Sequence, residues 1–245
     1  MWTKQIHGSL SWILAFIQRQ QGTVTRLFTY DSCFGITAPI EITTDASIWG
    51  IGGWIAVAGT PIAYFTQAIA THDETVLGHK RGEHEGQQAF EALALLVAIR
   101  LWAPLWKHKR VRLIIRNDNV GALTVFAACK GKSIPMNAVA REYALDLADG
   151  THEPDLIQHL PGITNAVADA LSRRTDPAYE KNWVTPTHLK HAKRVEPLER
   201  GPSWWKARVT PGVSANAQKG GDDNTRHASV GTTVRSRTVT RGCQS

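Results

Sequence analysis

The chain has 245 residues, 42% of them hydrophobic and 20% charged, which allows one globular domain with extensions. Residues 1–170 hold 14 Lys and Arg against 15 Asp and Glu, whereas residues 171–245 hold 14 against 6. The excess positive charge therefore lies in the C-terminal part, either as a solvated tail or as a surface that attracts phosphate. Three widely spaced cysteines form neither a disulfide framework nor a zinc pattern, which favours an intracellular location, cytoplasmic or nuclear. Because no 18-residue apolar run and no secretory leader are found, no membrane partner is expected.

Helices and strands are predicted from residue 9 to residue 172, with a loop through about Gly35 after the first helix. In chain order they are a helix at 9–19, strands at 39–45, 50–57 and 61–69, a polar loop at 71–84, a helix at 85–103, a strand at 111–116, helices at 119–129 and 134–149, a strand at 155–160 and a helix at 165–172. Three meandering strands followed by alternating helices and strands predict an α/β fold, a five-stranded mixed sheet with helices packed on both faces.

The periodicity of helices and strands stops near residue 175. Residues 175–210 keep scattered tryptophans and leucines and are predicted to form a partly ordered extension. Residues 211–245 are rich in Gly, Ser, Thr, Asn and Arg, and this basic tail has the composition of a disordered segment. The folded domain is therefore predicted to span residues 39–174.

Four acids stand at predicted strand ends or on helices that can approach them: Asp45, Glu91, Asp118 and Asp169. The carboxyl ends of strands are where sites form in open α/β sheets. Four converging carboxylates would repel one another unless neutralised. Two Mg²⁺ ions, which prefer oxygen ligands, would neutralise them and would also bind a scissile phosphate. Mn²⁺ is the alternative ion.

Some assignments stay open at this stage. Glu83 or Glu85 is an alternative to Glu91 as the helical acid. Glu91 is preferred because it lies inside the apolar stretch, where an unpaired carboxylate is costly. An aspartate at a strand end, such as Asp118, is often only a cap or turn residue, and Asp169 alone would be surface charge on a helix.

Four segments in chain order resemble the motifs of type-1 ribonuclease H domains. They are Thr44-Asp45-Ala46-Ser47, the helix from Glu91 to Trp102, Asn117-Asp118-Asn119, and His159-Leu-Pro-Gly with Asn165-x-x-x-Asp169-Ala-Leu-Ser-Arg. The last segment is especially similar to ribonuclease H domains of retroelement reverse transcriptases, of the LTR or DIRS-like kind. Residues 1–38 resemble a remnant of the connection segment that precedes such domains.

The resemblance implies a ribonuclease H-like fold and an endonuclease that hydrolyses the RNA strand of RNA–DNA hybrids in retroelement replication. It implies that Asp45, Glu91, Asp118 and Asp169 hold two metal ions, one to generate the attacking hydroxide and one to stabilise the leaving 3′ oxygen. It assigns His159 to proton transfer or product release. The candidate contacts to the hybrid are Ser47, Gln87, Gln88, Asn119 and Asn165. The implied partners are the hybrid and a reverse-transcriptase polymerase domain.

Two other functions remain as alternatives. A catalytically inactive, nucleic-acid-binding remnant would keep the fold and lose the chemistry. Another two-metal nuclease or a transposase is disfavoured by two positions: Asp45-Ala-Ser47 lacks the Asp-x-Glu of a proofreading exonuclease, and Asp169 stands where a DDE transposase has glutamate. Because no Tyr-x-Asp-Asp motif is present, the chain alone is not expected to polymerise.

Overall fold

The computed structural model describes residues 10, 13, 14, 17, 18, 39–106, 111–149 and 154–207, without the side chains of 149 and 154–156. Leu10, Ile13, Leu14 and Ile17 of the predicted first helix are helical and exposed. The remainder of the 1–38 segment and the 211–245 tail lie outside the described residues, so the predictions made for them stay predictions.

A mixed sheet forms the centre of the fold. Its strands are β1 Ile40–Ala46, β2 Gly50–Val57, β3 Thr60–Ala68, β4 Leu113–Asn117, β5 Pro154–His159 and β6 Lys193–Arg194. The spatial order is β5-β4-β1-β2-β3-β6. The meander β1-β2-β3 is antiparallel, whereas β4, β5 and β6 pair in parallel with their neighbours. The predicted mixed sheet is confirmed. The sixth strand was not predicted, because two residues are too few to show an alternating pattern.

Helices cover both faces of this sheet, as predicted. They are α1 Thr71–Leu77, α2 Gln87–Trp102, α3 Val120–Ala128, α4 Ile134–Asp149 and α5 Ala166–Ser172. Helix α2 packs with Ile42, Ile51 and Phe65 in the main core. Helix α5 packs on the other face, where Leu171 joins Tyr64 in a smaller cluster.

Helix α2 is the centre of the main core. Its residues from Ala89 to Ile99 are all buried, so it is apolar on every side, as expected for a helix enclosed by sheet and helices. Within the described residues, the stretch His84–Leu105 is long and apolar enough to cross a membrane by length and composition, and 67% of its apolar window is buried inside the protein. A buried core helix passes the same test, so this stretch is only weak evidence of a membrane span.

The expectation of a polar loop at 71–84 is wrong for its first half, which forms α1. The Asp73 carboxylate accepts a hydrogen bond from Ala70 N at 3.0 Å and so caps the helix start. Gly78, with φ of 71°, ends the helix in the left-handed conformation. Leu77 is buried in the core. Val76 also packs against the core, but two adjacent apolar residues at the end of a seven-residue helix give too weak a period to be recognised in the sequence.

Two glycines of β2 allow α5 to lie directly on the sheet. A Cβ at Gly52 would stand 2.4 Å from Leu171 Cβ, and one at Gly50 would stand 2.9 Å from Ser172 O. The Thr66 hydroxyl also donates to Leu171 O at 2.8 Å. This close packing sets the position of Asp169 and Ser172 relative to β1.

The segment predicted as a partly ordered extension packs on the sheet and helices as far as residue 207. Leu189 is buried against Tyr64 and Leu171, and β6 pairs with β3. Further on, Arg200 is buried and its Nε lies 2.7 Å from Asp73 Oδ2. Trp205 joins the main core. The residues that hold this segment are therefore spread over β3, α1 and α5.

Candidate active site

Three carboxylates from distant parts of the chain meet at one edge of the sheet. Asp45 lies near the end of β1, Asp118 directly follows β4, and Glu91 lies in the second turn of α2. One oxygen from each of them lies within 4.8 Å of the others. Strands β1 and β4 are parallel neighbours, so their carboxyl ends share an edge, and Glu91 in the N-terminal half of α2 reaches the acids at that edge.

Glu91 is almost fully buried, and its carboxylate accepts hydrogen bonds from three groups. Oε2 accepts from Ala46 N at 3.0 Å and from Asn117 Nδ2 at 3.1 Å. Oε1 accepts from Gln87 Nε2 at 3.0 Å, and the same Gln87 amide donates to Ala46 O. The carboxylate is therefore held in one orientation by β1, β4 and its own helix. Glu83 and Glu85, the alternatives that the sequence left open, are exposed and lie outside this group of acids.

Asp45 is held from the opposite face of the sheet. Ser172 Oγ donates to Asp45 Oδ2 at 2.7 Å, and Asn165 Nδ2 lies 3.3 Å from Asp45 Oδ1. Asn165 and Asn117 both donate to the backbone carbonyl of Thr44, at 3.2 and 3.0 Å. Two buried amides thus connect β4 and α5 to the same peptide of β1, next to Asp45.

Asp118 is the most accessible of the three acids. His159, at the end of β5, places Nε2 2.9 Å from the backbone carbonyl of Asp118, and its ring is exposed. Gly162 lies against the same carboxylate, since a Cβ there would be 3.4 Å from Asp118 Oδ2. His159 is therefore beside the acids, and its exposed ring is accessible to a bound molecule.

Asp169, expected as the fourth acid, is not one of the three that meet. Its Oδ1 accepts from Arg173 Nε at 2.7 Å, and both side chains are about two-fifths exposed, 43% and 41%. Asp169 is still close enough to raise the pKa of Asp45 and Asp118. The sequence reasoning missed Arg173, although its spacing of four residues from Asp169 on a helix indicates a pair.

Burial and crowding raise the pKa of all three acids. Burial raises the pKa of Asp45 to about 7, the Ser172 hydrogen bond opposes the shift, and Asp118 and Asp169 add to it. Burial, followed by the charge of Asp45, raises the pKa of Glu91 well above its usual value. Burial also raises the pKa of Asp118, with Asp169 adding to the shift and His159 opposing it. The charged forms of these acids therefore lack sufficient counter-charge within the protein.

Most of the side chains expected to contact a hybrid form hydrogen bonds within the protein instead. The Ser47 hydroxyl accepts from Gly50 N at 3.0 Å and donates to Ser172 O at 3.0 Å. Asn119 caps α3 by accepting from Ala122 N at 3.0 Å. Asn165 is buried, and Gln87 binds Glu91. Gln88 is exposed, so its contact with a hybrid stays a prediction.

Asn117 and Ser172 also support the acids, and the sequence reasoning did not assign them. Asn117 is fully buried and precedes Asp118, and Ser172 follows Asp169 by three residues. Adjacency to an acid was the only available signal, since a buried amide and a hydroxyl are common in any strand or helix. Their targets, Glu91 and Asp45, are distant in sequence and become neighbours only through the sheet.

The group of acids fits a divalent cation. Carboxylate oxygens are the ligands that Mg²⁺ and Mn²⁺ prefer. Three of them with raised pKa values lie within reach of one ion, and each gains from a nearby positive charge.

No protein-family model matches the chain, and no curated protein matches it. Among solved structures, the chain is similar to ribonuclease H1 from the halophilic archaeon Halobacterium salinarum, with 18% identity over 56% of this chain and 96% of that chain, at a TM-score of 0.43. It is similar to the N-terminal ribonuclease H domain of a Mycobacterium tuberculosis protein, with 16% identity over 60% of this chain and 100% of that chain, at 0.44.

A third structure is the foamy viral protease-reverse transcriptase in complex with double-stranded DNA, with 13% identity over 66% of this chain and 27% of that chain, at a TM-score of 0.30. At these identities and TM-scores, none of the three transfers a residue role to this chain.

Proposed function

We propose that the protein is a Mg²⁺-dependent endonuclease that hydrolyses the RNA strand of RNA–DNA hybrids. The single observation that carries this proposal is the approach of Asp45, Glu91 and Asp118 to within 4.8 Å at the carboxyl edge of the sheet. Three crowded acids destabilise a fold unless they bind a cation, and hard divalent cations at such edges serve phosphoryl transfer.

The proposal assigns a separate role to each group of residues at the site. Asp45, Glu91 and Asp118 would hold the metal, which supplies Lewis-acid activation of water and of the scissile phosphate when bound. Gln87 and Asn117 fix the Glu91 carboxylate, so no reorientation is needed at binding. Asp169 would be the fourth acid able to hold a second ion, provided that Arg173 releases it.

Exposed groups around the acids would meet the substrate. His159 carries an exposed ring beside Asp118 and would transfer a proton or assist product release. Gln88, exposed on the first turn of α2, is the residue we assign to the RNA 2′-hydroxyl, the group that distinguishes RNA from DNA.

The biological setting is also part of the proposal. The motif sequence of residues 159–173 supports a ribonuclease H domain that works with a reverse-transcriptase polymerase in a retroelement. Its proposed location is inside the cell, in the cytoplasm or nucleus. We propose residues 39–174 as the catalytic domain and residues 1–38 as the remnant of a connection segment. Residues 175–207 then belong to the folded unit that supports it.

Incubation of the full chain with an end-labelled RNA–DNA hybrid and Mg²⁺ or Mn²⁺ tests this function. Wild type should cut the RNA strand, and Glu91→Gln should lose several kcal/mol of transition-state stabilisation, roughly a hundredfold to a thousandfold in rate. Glu85→Gln is the matched control and should keep the wild-type rate. Unchanged cleavage by Glu91→Gln would overturn the assignment.

A second candidate is favoured by one contact. The ion pair between Arg173 and Asp169 occupies the acid that a two-metal site needs. A nucleic-acid-binding protein without cleavage activity would keep this pair permanently. Hybrid binding by wild type, with no RNA cleavage in either metal, would select this candidate over the nuclease.

A further inference from the structure

A basic surface begins at the acid cluster and continues along the C-terminal segment. Residues 173–194 hold six Lys and Arg against two Asp and Glu. We define the basic surface as the side chains Arg173, Arg174, Lys181, Lys190, Lys193 and Arg194. The three lysines and Arg194 are exposed, and the other two arginines are partly buried.

The fold holds this segment in place from its apolar side. Leu189 is buried against Tyr64 and Leu171, and Trp183 Nε1 donates to Ala170 O at 2.6 Å. Arg174 lies over the Trp183 ring, with 5.2 Å between the guanidinium carbon and the ring centroid. The apolar side chains thus face the sheet while the ammonium groups face outward. A pre-organised array of cations loses less entropy on binding than a flexible tail does.

An open groove lies beside Lys190 of the basic surface. Its volume is about 360 Å³, and it is lined by Tyr64, Thr185, Thr187, Leu189, Lys190 and Ala192. The two threonine hydroxyls and the lysine ammonium are donors of the kind that contact phosphate oxygens in nucleic-acid complexes. The groove therefore offers neutral donors next to the positive charge.

The position of the basic surface fits a polyanion that also reaches the acids. At one end of the basic surface, Arg173 Nε lies 2.7 Å from Asp169 Oδ1. At the other end, Arg194 of β6 is the strand-register partner of Tyr64 of β3. Three strand spacings of about 4.8 Å separate β1 from β6, so the surface extends about 14 Å across the sheet. That span corresponds to about four base pairs of a duplex.

The acid cluster itself repels phosphate, so the attraction that brings a nucleic acid to it must come from positive charge elsewhere on the protein. Asp45, Glu91 and Asp118 lie together, with one carboxylate oxygen of each within 4.8 Å of the others. A substrate with one phosphate per nucleotide needs attraction elsewhere to approach such a cluster. The basic surface supplies it on the same side as α5.

We infer that the basic surface binds the sugar-phosphate backbone of the nucleic-acid duplex whose RNA strand lies at the acid cluster. This inference rests on the proposed function, because it assumes that a duplex is the substrate. The contact is electrostatic and independent of sequence, so it contributes affinity and orientation rather than a choice of bases.

The salt dependence of binding tests the inference. Anisotropy of a labelled RNA–DNA hybrid is measured with the full chain in EDTA, where no cleavage occurs. Wild type is compared with the triple variant Lys181→Gln, Lys190→Gln and Lys193→Gln. Each lost phosphate contact lowers the slope of log affinity against log salt by about 0.9. The affinity of wild type should then fall about 40-fold more than that of the variant between 50 and 200 mM salt.

Matched controls make the outcome decisive. The charge-preserving variant Lys181→Arg, Lys190→Arg and Lys193→Arg should keep the wild-type slope, and the glutamine variant should melt at the wild-type temperature because its three side chains are exposed. Equal slopes for wild type and the glutamine variant would overturn the inference. So would competition by poly-glutamate as effective as competition by unlabelled hybrid, which would mark an acidic protein as the partner.

The two proposals fail separately. If wild type cleaves the hybrid and the slopes are equal, the basic surface is refuted and the nuclease stands. If wild type does not cleave but the glutamine variant loses slope, the nuclease is refuted and the basic surface remains a duplex-binding surface.

Discussion

The side-chain amide of Asn117 donates a hydrogen bond to Glu91 Oε2 at 3.1 Å, from a position with no solvent exposure. The same amide donates to the Thr44 carbonyl at 3.0 Å, while Asn117 Oδ1 accepts from Asn119 N at 2.7 Å. Asn117 therefore fixes the end of β4, the end of β1 and the buried acid of α2 at once.

Replacing this amide by a carboxylate should destabilise the protein strongly. In Asn117→Asp, an acceptor replaces the donor that faces Glu91 and Thr44 O, and a buried charge without a partner costs about 3–5 kcal/mol. Chemical denaturation in EDTA measures the loss. The matched control is Asn119→Asp, two residues further on, where aspartate caps α3 as well as asparagine does and stability should change by less than about 0.5 kcal/mol. Equal stability of the two variants would contradict the role assigned to Asn117.

Metal-free protein should lose stability as pH rises from about 4 to about 7. The pKa of Asp45 is about 7 in the folded protein and 3.8 as its ordinary value, because burial disfavours its charged form. Between these values the folded state binds a proton that the unfolded state has lost, so the free energy of unfolding falls as pH increases. Each pKa unit corresponds to about 1.4 kcal/mol, which makes the loss a few kcal/mol.

Thermal melting across this pH range in EDTA measures the effect. Asp45→Asn should flatten the profile and melt at a higher temperature than wild type at pH 8, while Asp176→Asn, outside the acid cluster, should follow wild type. Added Mg²⁺ should restore the melting temperature of wild type and leave that of Asp45→Asn almost unchanged. A wild-type melting temperature independent of both pH and Mg²⁺ would refute the electrostatic account.

The segment from Glu199 to Ala207 should be required for stability. Arg200 and Asp73 form a buried ion pair at 2.7 Å, and Trp205 Nε1 donates to the same carboxylate at 3.2 Å. The Glu142 carboxylate accepts from Lys206 N and Ala207 N at 2.8 and 2.6 Å. Removing one partner of a buried pair costs about 3–5 kcal/mol, and exposing Trp205 adds to that.

Two truncations test this requirement. A chain ending at residue 198 should unfold at a much lower denaturant concentration than wild type, or fail to fold. A chain ending at residue 207 keeps every contact described above and should match wild type. Asp73→Asn in the full chain is the second variant, and it should lose stability even if the shorter truncation cannot be purified. Wild-type stability of both Asp73→Asn and the shorter truncation would contradict the packing of this segment.

The sequence by itself determined the order of the first five strands and of the helices other than α1, the mixed sheet, and the three acids that meet at its edge. Strands and helices can be recognised from the local periodicity of their apolar residues. Asp45 and Asp118 follow apolar strand residues at positions where parallel strands end. Glu91 could be preferred over Glu83 and Glu85 because its neighbours on α2 are apolar, and a local pattern suffices for that comparison.

Only the tertiary structure decided which side chains meet. Asp169 pairs with Arg173 instead of joining the three acids, and Asn165, expected to contact a hybrid, is buried beside Asp45. Arg200, in a segment without a period, forms an ion pair with Asp73, 127 residues earlier. These outcomes depend on the register of the strands and on the close packing of α5 over Gly52. The spacing of four residues on a helix allows the Asp169–Arg173 pair, but no local pattern encodes the contacts of Asn165 and Arg200, because their partners are distant along the chain and close only in space.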